Sequence, residues 1–466
     1  LKAGARLVLL SPLDPPRVLA RKMADADARL LITTNLPPLF PAALQLLAEG
    51  AAERLIVAED DVWGATGFAA AIPDDARILR WTHDTPAPPA AFPEVSPDDV
   101  ALLQYTGGTT GFPKAAMLTH GNLTAAVAIY DGWNHPSFKR INPDDRVIGV
   151  LPLFHIYALT VVLLRGLAAG AMIMLRPRFD VEQTLRDIEQ KRATVFPGVP
   201  TMWIALTNHP GIETRDLSSL QFAGSGGAPL PAEVRARFAQ LTGLRLGGGW
   251  GMTETCPAGT AMDAAREYPP GAIGLPLPRI EMDIVALDDP RRVLPPGEVG
   301  EIRVRGPNVF RGYWNRPEET AAAFVDDWFL TGDMGTMDER GDFTIVDRKK
   351  DMIISGGFNV YPRVIEEAVY EHPDVAECVV IGVPDEYRGQ AAKVFAVLRP
   401  GAPELTLAAL QDFLADKLGR HEIPRALELR DILPKTQVGK LSRKELVDEE
   451  RARAPATAGA EAVGAR

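Results

Sequence analysis

Residues 105–115 read YTGGTTGFPKA and gather a dense set of groups able to hold a phosphate. Gly107, Gly108 and Gly111 alternate with Thr106, Thr109 and Thr110, and Lys114 follows Pro113. Glycine lets successive backbone N–H groups turn inward as an anion nest, threonine hydroxyls add donors, and lysine adds a point charge. The apolar run 100–105 predicts a buried strand, and a helical pattern starts near His120, so the loop is expected between a strand and a helix. It is not a Walker A loop: proline precedes the lysine, and Ala115 stands where Ser or Thr would meet magnesium. The plainer reading is a flexible Gly/Thr turn.

Other constellations are weaker when taken singly. Trp250-Gly251-Met252-Thr253-Glu254 follows three glycines (247–249). Glycine there permits close approach to a flat ligand, Trp250 offers a stacking face, and Glu254 is a hard oxygen ligand suited to Mg²⁺ on a nucleotide phosphate. Its plain alternative is a surface turn with an ordinary glutamate. The turn Gly224-Ser225-Gly226-Gly227-Ala228-Pro229 ends a strand, where ligands sit in open α/β sheets, and its bareness suits a purine slot, with a plain tight turn as the alternative. Thr331-Gly332-Asp333 offers a carboxylate for the two hydroxyls of a ribose, though Gly-Asp is also common turn chemistry. His155, inside LPLFHIYAL, is either a satisfied core histidine or a polar gate at an apolar pocket. Lys440, in PKTQVGK, is either a solvated surface lysine or a group on a loop that reaches outward.

The elements that must position these groups follow from periodicity. Residues 6–33 read as strand, helix, strand, a βαβ unit. Between 146 and 200 strands and helices alternate, which predicts parallel sheets covered by helices. After Gly274 alternating strands predict a small antiparallel subdomain. A charge cluster at 347–351 precedes a run that reads as a separate small α+β unit, and 452–466 reads as a disordered tail. The fold class is thus α/β: a large N-terminal domain of parallel and mixed sheets covered by helices with a small β subdomain, then a small α+β C-terminal domain.

With 466 residues more than one domain is expected. A net charge of −11 argues against nucleic acid as a partner, so an anionic ligand needs local cations. Cys256 and Cys378 lack metal-ligand spacing, no signal peptide is read at the start, and a reducing, cytoplasmic setting is expected. The apolar run 149–164 is interrupted by Pro152 and His155 and reads as a buried strand and helix, with contact at a membrane surface left open.

Taken together and in order, TGGTTGFPK, WGMTE, TGD, DRKKDMIISGG and PKTQVGK resemble the adenylate-forming superfamily of acyl-CoA synthetases, peptide-synthetase adenylation domains and firefly luciferase. LPLFHIYAL, FRGYWNRPEET and DRKKDMIISGGFNVYP look most like medium- and long-chain fatty acyl-CoA ligases. The resemblance implies ATP, Mg²⁺, coenzyme A and a fatty acid as small-molecule partners. It implies that Lys440 acts on the carboxylate and α-phosphate, and that Lys114 and the 106–111 loop hold the outer phosphates. Glu254, helped by Thr253 and Thr109, would hold Mg²⁺; Gly227, Ala228 and Pro229 with Trp250 and Gly251 would frame the base; Asp333 and Arg348 would hold the ribose. Lys350 would be the hinge between 1–347 and a mobile 352–451 domain, within a 348–351 linker, and Gly356 and Gly357 would line a pantetheine tunnel. The usual aromatic of the second motif is Tyr or Phe, and here it is Trp250. Such proteins also carry an additional segment before the point where this chain starts, and often dimerise. Competing readings are an acyl-AMP ligase loading a carrier protein, a luciferase-like oxygenase and a non-catalytic adenylate-binding protein.

Overall fold

The computed structural model of the chain describes residues 1–453 other than 65–66, 82–90, 107–112, 134–138, 228–229, 231, 264–265, 267, 270, 357 and 437–440. The expected strand forms as Val100–Thr106. Lys114–Thr119 then returns antiparallel beside it, with Tyr105 opposite Ala115 and Thr106 opposite Lys114. The glycine-rich segment therefore joins two strands of a hairpin, which corrects the expected strand-to-helix placement. The physical reason is a capping box one turn later. Thr119 Oγ1 accepts from the Asn122 N–H at 3.0 Å and Asn122 Oδ1 accepts from the Thr119 N–H at 3.0 Å, so the helix His120–Gly132 cannot extend back through residues 114–118.

The opening residues also depart from a simple βαβ unit. The strand Leu7–Val8 pairs parallel with Val100–Thr106. Leu30–Thr34 instead pairs with Arg54–Ala58, which pairs with Ile78–Trp81, in a separate parallel sheet. The helix Pro16–Asp25 buries Leu19 and Met23 among Phe40, Leu46, Leu55 and Val57, so its apolar face packs on the second sheet.

The alternation between 146 and 200 gives the parallel sheet expected of it, which two further strands up to Gly248 extend. Its strands lie in the order Gly247–Gly248, Phe222–Ser225, Val195–Gly198, Arg146–Gly149, Met172–Leu175, over a core that includes Phe196, Trp203 and Phe238. The apolar run becomes the strand Arg146–Gly149 and a helix from Ile156 to Ala169 whose Leu159–Leu164 part is π-helical. Among the described residues no helix is long and apolar enough to cross a membrane.

The antiparallel subdomain is also present. Thr260–Ala261, Ala272–Pro276, Phe343–Arg348, Trp328–Met337, Gly300–Arg305 and Glu281–Val285 follow one another across a single sheet. After residue 352 a further sheet orders Phe358–Val360, Ile353–Ser355, Gly389–Leu398 and Val375–Asp385, with Ala426–Leu429 on Gly389–Leu398. Its core, with Ile365, Val380, Val394 and Leu410, is separate from those before it. The last helix, Arg443–Arg453, runs into the first residues of the expected tail.

Candidate functional site

The carboxyl ends of the parallel strands deliver the glycine turns to one edge. Ser225 pairs with Gly248, and the Gly226 N–H donates to the Gly198 carbonyl at 3.1 Å. Past Gly248 the chain passes Gly249 and reaches Trp250. A Cβ at Gly249 would stand 2.2 Å from the Thr260 carbonyl oxygen, and one at Gly251 only 1.5 Å from that of Pro257. Those two glycines are thus required by the fold of their own loop. Thr253 opens a short 3₁₀ turn, Thr253–Thr255, which carries Glu254 inward.

Asp333 lies across the cleft on the antiparallel sheet. Thr331 Oγ1 donates to the Ile302 carbonyl at 2.7 Å and accepts from the Asp333 N–H at 3.1 Å; Gly332 has φ +72° and donates to Glu301 Oε1 at 3.0 Å. These bonds leave the buried Asp333 side chain directed toward Trp250. The Trp250 indole Nε1–H donates to Asp333 Oδ2 at 2.7 Å. Strand register sets Arg348 opposite Asp333, and its Nε lies 3.1 Å from Oδ1. Trp250, Asp333 and Arg348 therefore meet in one corner.

Glu254 is buried, and desolvation pushes its carboxyl above the usual range. Its side-chain donor is the neutral Tyr313 hydroxyl, 3.0 Å from Oε1. The Tyr313 ring lies 4.8 Å from Lys114 Nζ, and that ammonium sits 3.0 Å from Glu319 Oε2. A continuous path thus runs from Lys114, at the rim of the glycine-rich hairpin, to Glu254. Tyr313 and Glu319 are site residues that motif reading missed; their signal lay in FRGYWNRPEET, which offers no charge spacing of its own. Among the described residues no group of three or more His, Cys, Asp and Glu side chains is placed to hold a metal. A lone buried carboxylate facing a neutral phenol fits Mg²⁺ that arrives on a polyphosphate and takes its other ligands from phosphate and water.

His155 and Gly227 come together at a small cavity of about 20 Å³, shared with Tyr157 and Val199. His155 Nδ1 accepts from the Tyr157 N–H at 3.2 Å, and the Tyr157 ring covers Gly226, where a Cβ would stand 2.8 Å from Cζ. Gln104 Nε2 donates to the Phe154 carbonyl at 2.9 Å, which fastens this segment to the strand before the hairpin. Thr106 Oγ1 donates to the Lys114 carbonyl at 3.4 Å across the hairpin.

Lys350 is exposed beside Arg348, and Lys349 Nζ pairs with Glu301 at 2.8 Å. Gly356 has φ +59° with nothing within 4 Å of a Cβ placed there, so what the structure displays at this position is a left-handed backbone. Arg443 joins both sides of the charge cluster: its guanidinium reaches Asp347 at 3.1 Å, Asp351 at 3.2 Å and Glu366 at 2.7 Å. Gly107, Gly108, Thr109, Thr110, Gly111, Ala228, Pro229, Gly357 and Lys440 lie outside the described residues.

Comparison with known proteins adds to this geometry. The family described as AMP-binding enzyme matches residues 1–314, and its C-terminal domain matches residues 364–440. The long-chain-fatty-acid–CoA ligase of Bacillus subtilis (strain 168) is 45% identical over 344 residues, 74% of this chain and 60% of that protein. The long-chain-fatty-acid–CoA ligase of Escherichia coli O6:H1 is 36% identical over 97% of this chain and 82% of its own length. The crystal structure of ATP-bound MatB from Rhodopseudomonas palustris superposes with a TM-score of 0.81 at 31% identity, covering 94% of this chain and 82% of that one.

Proposed function

Since this chain belongs to the AMP-binding enzyme family, we propose that it activates a medium- or long-chain fatty acid with ATP and passes the acyl group to coenzyme A. The observation that carries this reading is the corner in which Trp250, Asp333 and Arg348 meet, beside the buried Glu254. A nucleotide needs a flat face, an acceptor for ribose hydroxyls and a carboxylate for the Mg²⁺ that its phosphates carry, and Trp250, Asp333 and Glu254 offer these in adjacent positions.

A carboxylate is a poor acyl donor because its leaving group would be oxide. Attack of a carboxylate oxygen on the α-phosphorus of ATP breaks the bond to pyrophosphate and gives an acyl-adenylate. The coenzyme A thiol then attacks the acyl carbon and expels AMP, its proton passing to solvent. Charge builds on the α-phosphate in the first step, so preorganised cations aimed there dominate the catalysis. Lys440 is assigned to that oxygen, Lys114 and residues 106–111 to the outer phosphates, and Asp333 with Arg348 to the ribose. Gly227, Ala228, Pro229 and Trp250 frame the base. Glu254, with Thr253 and Thr109 beside it, is the protein's contribution to Mg²⁺ binding, and the bound ion would screen phosphate charge.

Residues 1–347 form the domain that binds acid and nucleotide, 348–351 the linker and 352–451 the moving domain. Swinging about Lys350 withdraws Lys440 and brings Gly356 and Gly357 to the thiol's path. The Arg443–Asp347 pair spans that linker and would have to open in the swing.

The test is pyrophosphate release with ATP and a panel of carboxylic acids, followed by thioester formation with coenzyme A. Lys440→Ala is expected to abolish adenylation and spare thioester formation from supplied acyl-AMP. Equal loss of both half-reactions defeats the lysine assignment, and a chain that releases no pyrophosphate with any acid defeats the function.

A further inference from the structure

Trp250 does more at this site than present a ring face. Its indole packs against Gly259, where a Cβ would stand 2.4 Å from Cε3 and 2.7 Å from Cζ3. Its backbone is fixed at both ends: the Trp250 N–H donates to Thr260 Oγ1 at 3.0 Å, and the Trp250 carbonyl accepts from the Thr260 N–H at 2.9 Å. A ring so held has its N–H aimed at one place, Asp333 Oδ2, 2.7 Å away. Arg348 takes the other oxygen at 3.1 Å, and Asp333 is buried. A carboxylate has about four lone-pair sites, so one hydrogen bond from Trp250 and an ion pair with Arg348 leave sites for the hydroxyls of a ligand. The indole donor on Oδ2, with the ion pair on Oδ1, fixes the plane in which those sites point.

We infer that Trp250 is a positioning residue whose indole N–H sets the plane of the Asp333 carboxylate, so that the site selects a nucleotide carrying both ribose hydroxyls. The inference rests on the proposed nucleotide site. It assigns selectivity to a group that touches the ribose only through Asp333. Without the N–H, the carboxylate rotates about its terminal bond and its remaining sites no longer match a cis-diol. A ligand with one hydroxyl loses less, because a single acceptor can follow it.

The experiment is calorimetric titration of ATP and 2′-deoxyATP into the whole chain as wild type, Trp250→Phe, Asp333→Asn and the double variant. Trp250→Phe is expected to weaken ATP about tenfold and 2′-deoxyATP only about threefold, the scale of one hydrogen bond to a charged group. In the Asp333→Asn background the same change is expected to move neither ligand more than about twofold, since residues acting through one another do not add. Benzothienylalanine at position 250 keeps the indole shape and lacks the N–H, so it gives the same test if the phenylalanine variant does not fold. Equal weakening of the two nucleotides, or a loss that persists without the Asp333 carboxylate, overturns the inference while leaving the nucleotide site standing. A wild-type chain that binds no ATP overturns both.

Discussion

Glu254, in the turn after Trp250, faces a neutral phenol, whereas Glu428, on the strand Ala426–Leu429, faces three cations. Lys393 donates to Glu428 at 2.8 Å, Arg430 at 2.6 Å and Arg453 at 2.9 Å. Burial alone would raise both carboxyls. At Glu428 that push is outweighed by the hydrogen bonds from Lys393, Arg453 and Arg430, which bring it down to about 2; at Glu254 burial wins. The same side chain thus serves opposite ends. On the C-terminal sheet Glu428 is neutralised and adds stability. The nucleotide edge leaves one ionisable oxygen pair short of positive charge, which costs stability until a cation arrives.

The largest expected effect of breaking this contrast is on turnover. Glu254→Gln keeps an acceptor for the Tyr313 hydroxyl but removes the charge, and Mg²⁺-dependent pyrophosphate release should fall by on the order of a hundredfold or more. Next is Arg443→Met, which strands Asp347, Asp351 and Glu366 without their shared cation. Removing one member of such a buried cluster costs about 3 kcal/mol or more, read as an earlier urea midpoint for the C-terminal unit. Glu428→Gln should cost about 2 kcal/mol at pH 7. Its lowered carboxyl supplies stability that is full above the unfolded glutamate range and fades as pH falls through about 2, so wild type and variant should converge in acid. The smallest effect has the opposite sign. The raised Glu254 supplies stability only below its unfolded value and loses it as pH rises through the folded one, so ligand-free Glu254→Gln should be about 1 kcal/mol more stable at pH 7. A destabilised Glu254→Gln at neutral pH would remove the contrast between the two glutamates.

Much of the frame was legible because periodicity and turn chemistry are local. The parallel strands between 146 and 200 and the antiparallel strands after 274 lie where apolar spacing placed them. The hairpin after the glycine-rich loop was hidden because the six residues KAAMLT fit a short strand or a helix start equally well, and the Thr119–Asn122 box that decides between them lies downstream. Sheet membership of Leu7–Val8 was hidden for a different reason: its partner is nearly a hundred residues away. Motif wording singled out Trp250, Glu254, Asp333 and Arg348; strand register explains why Asp333 and Arg348 meet, and an indole hydrogen bond why Trp250 joins them. Tyr313, Glu319 and Tyr157 were not found, because a phenol or a glutamate in a turn acquires meaning only from what it touches. The glycines 249 and 251 were read as room for a ligand, whereas the structure shows them making room for their own loop.

Asp25, at the end of the helix Pro16–Asp25, has a temporal consequence. Its side chain accepts from the Tyr105 hydroxyl at 2.9 Å and from Arg316 at 3.2 Å, and its carbonyl accepts from the Trp314 indole at 3.0 Å. At synthesis speeds of about 5–20 residues per second, roughly 10–40 s separate the emergence of Tyr105 from that of Arg316. During that interval the first hundred residues wait on the ribosome with an unfinished seam, exposed to chaperones and to neighbouring nascent chains.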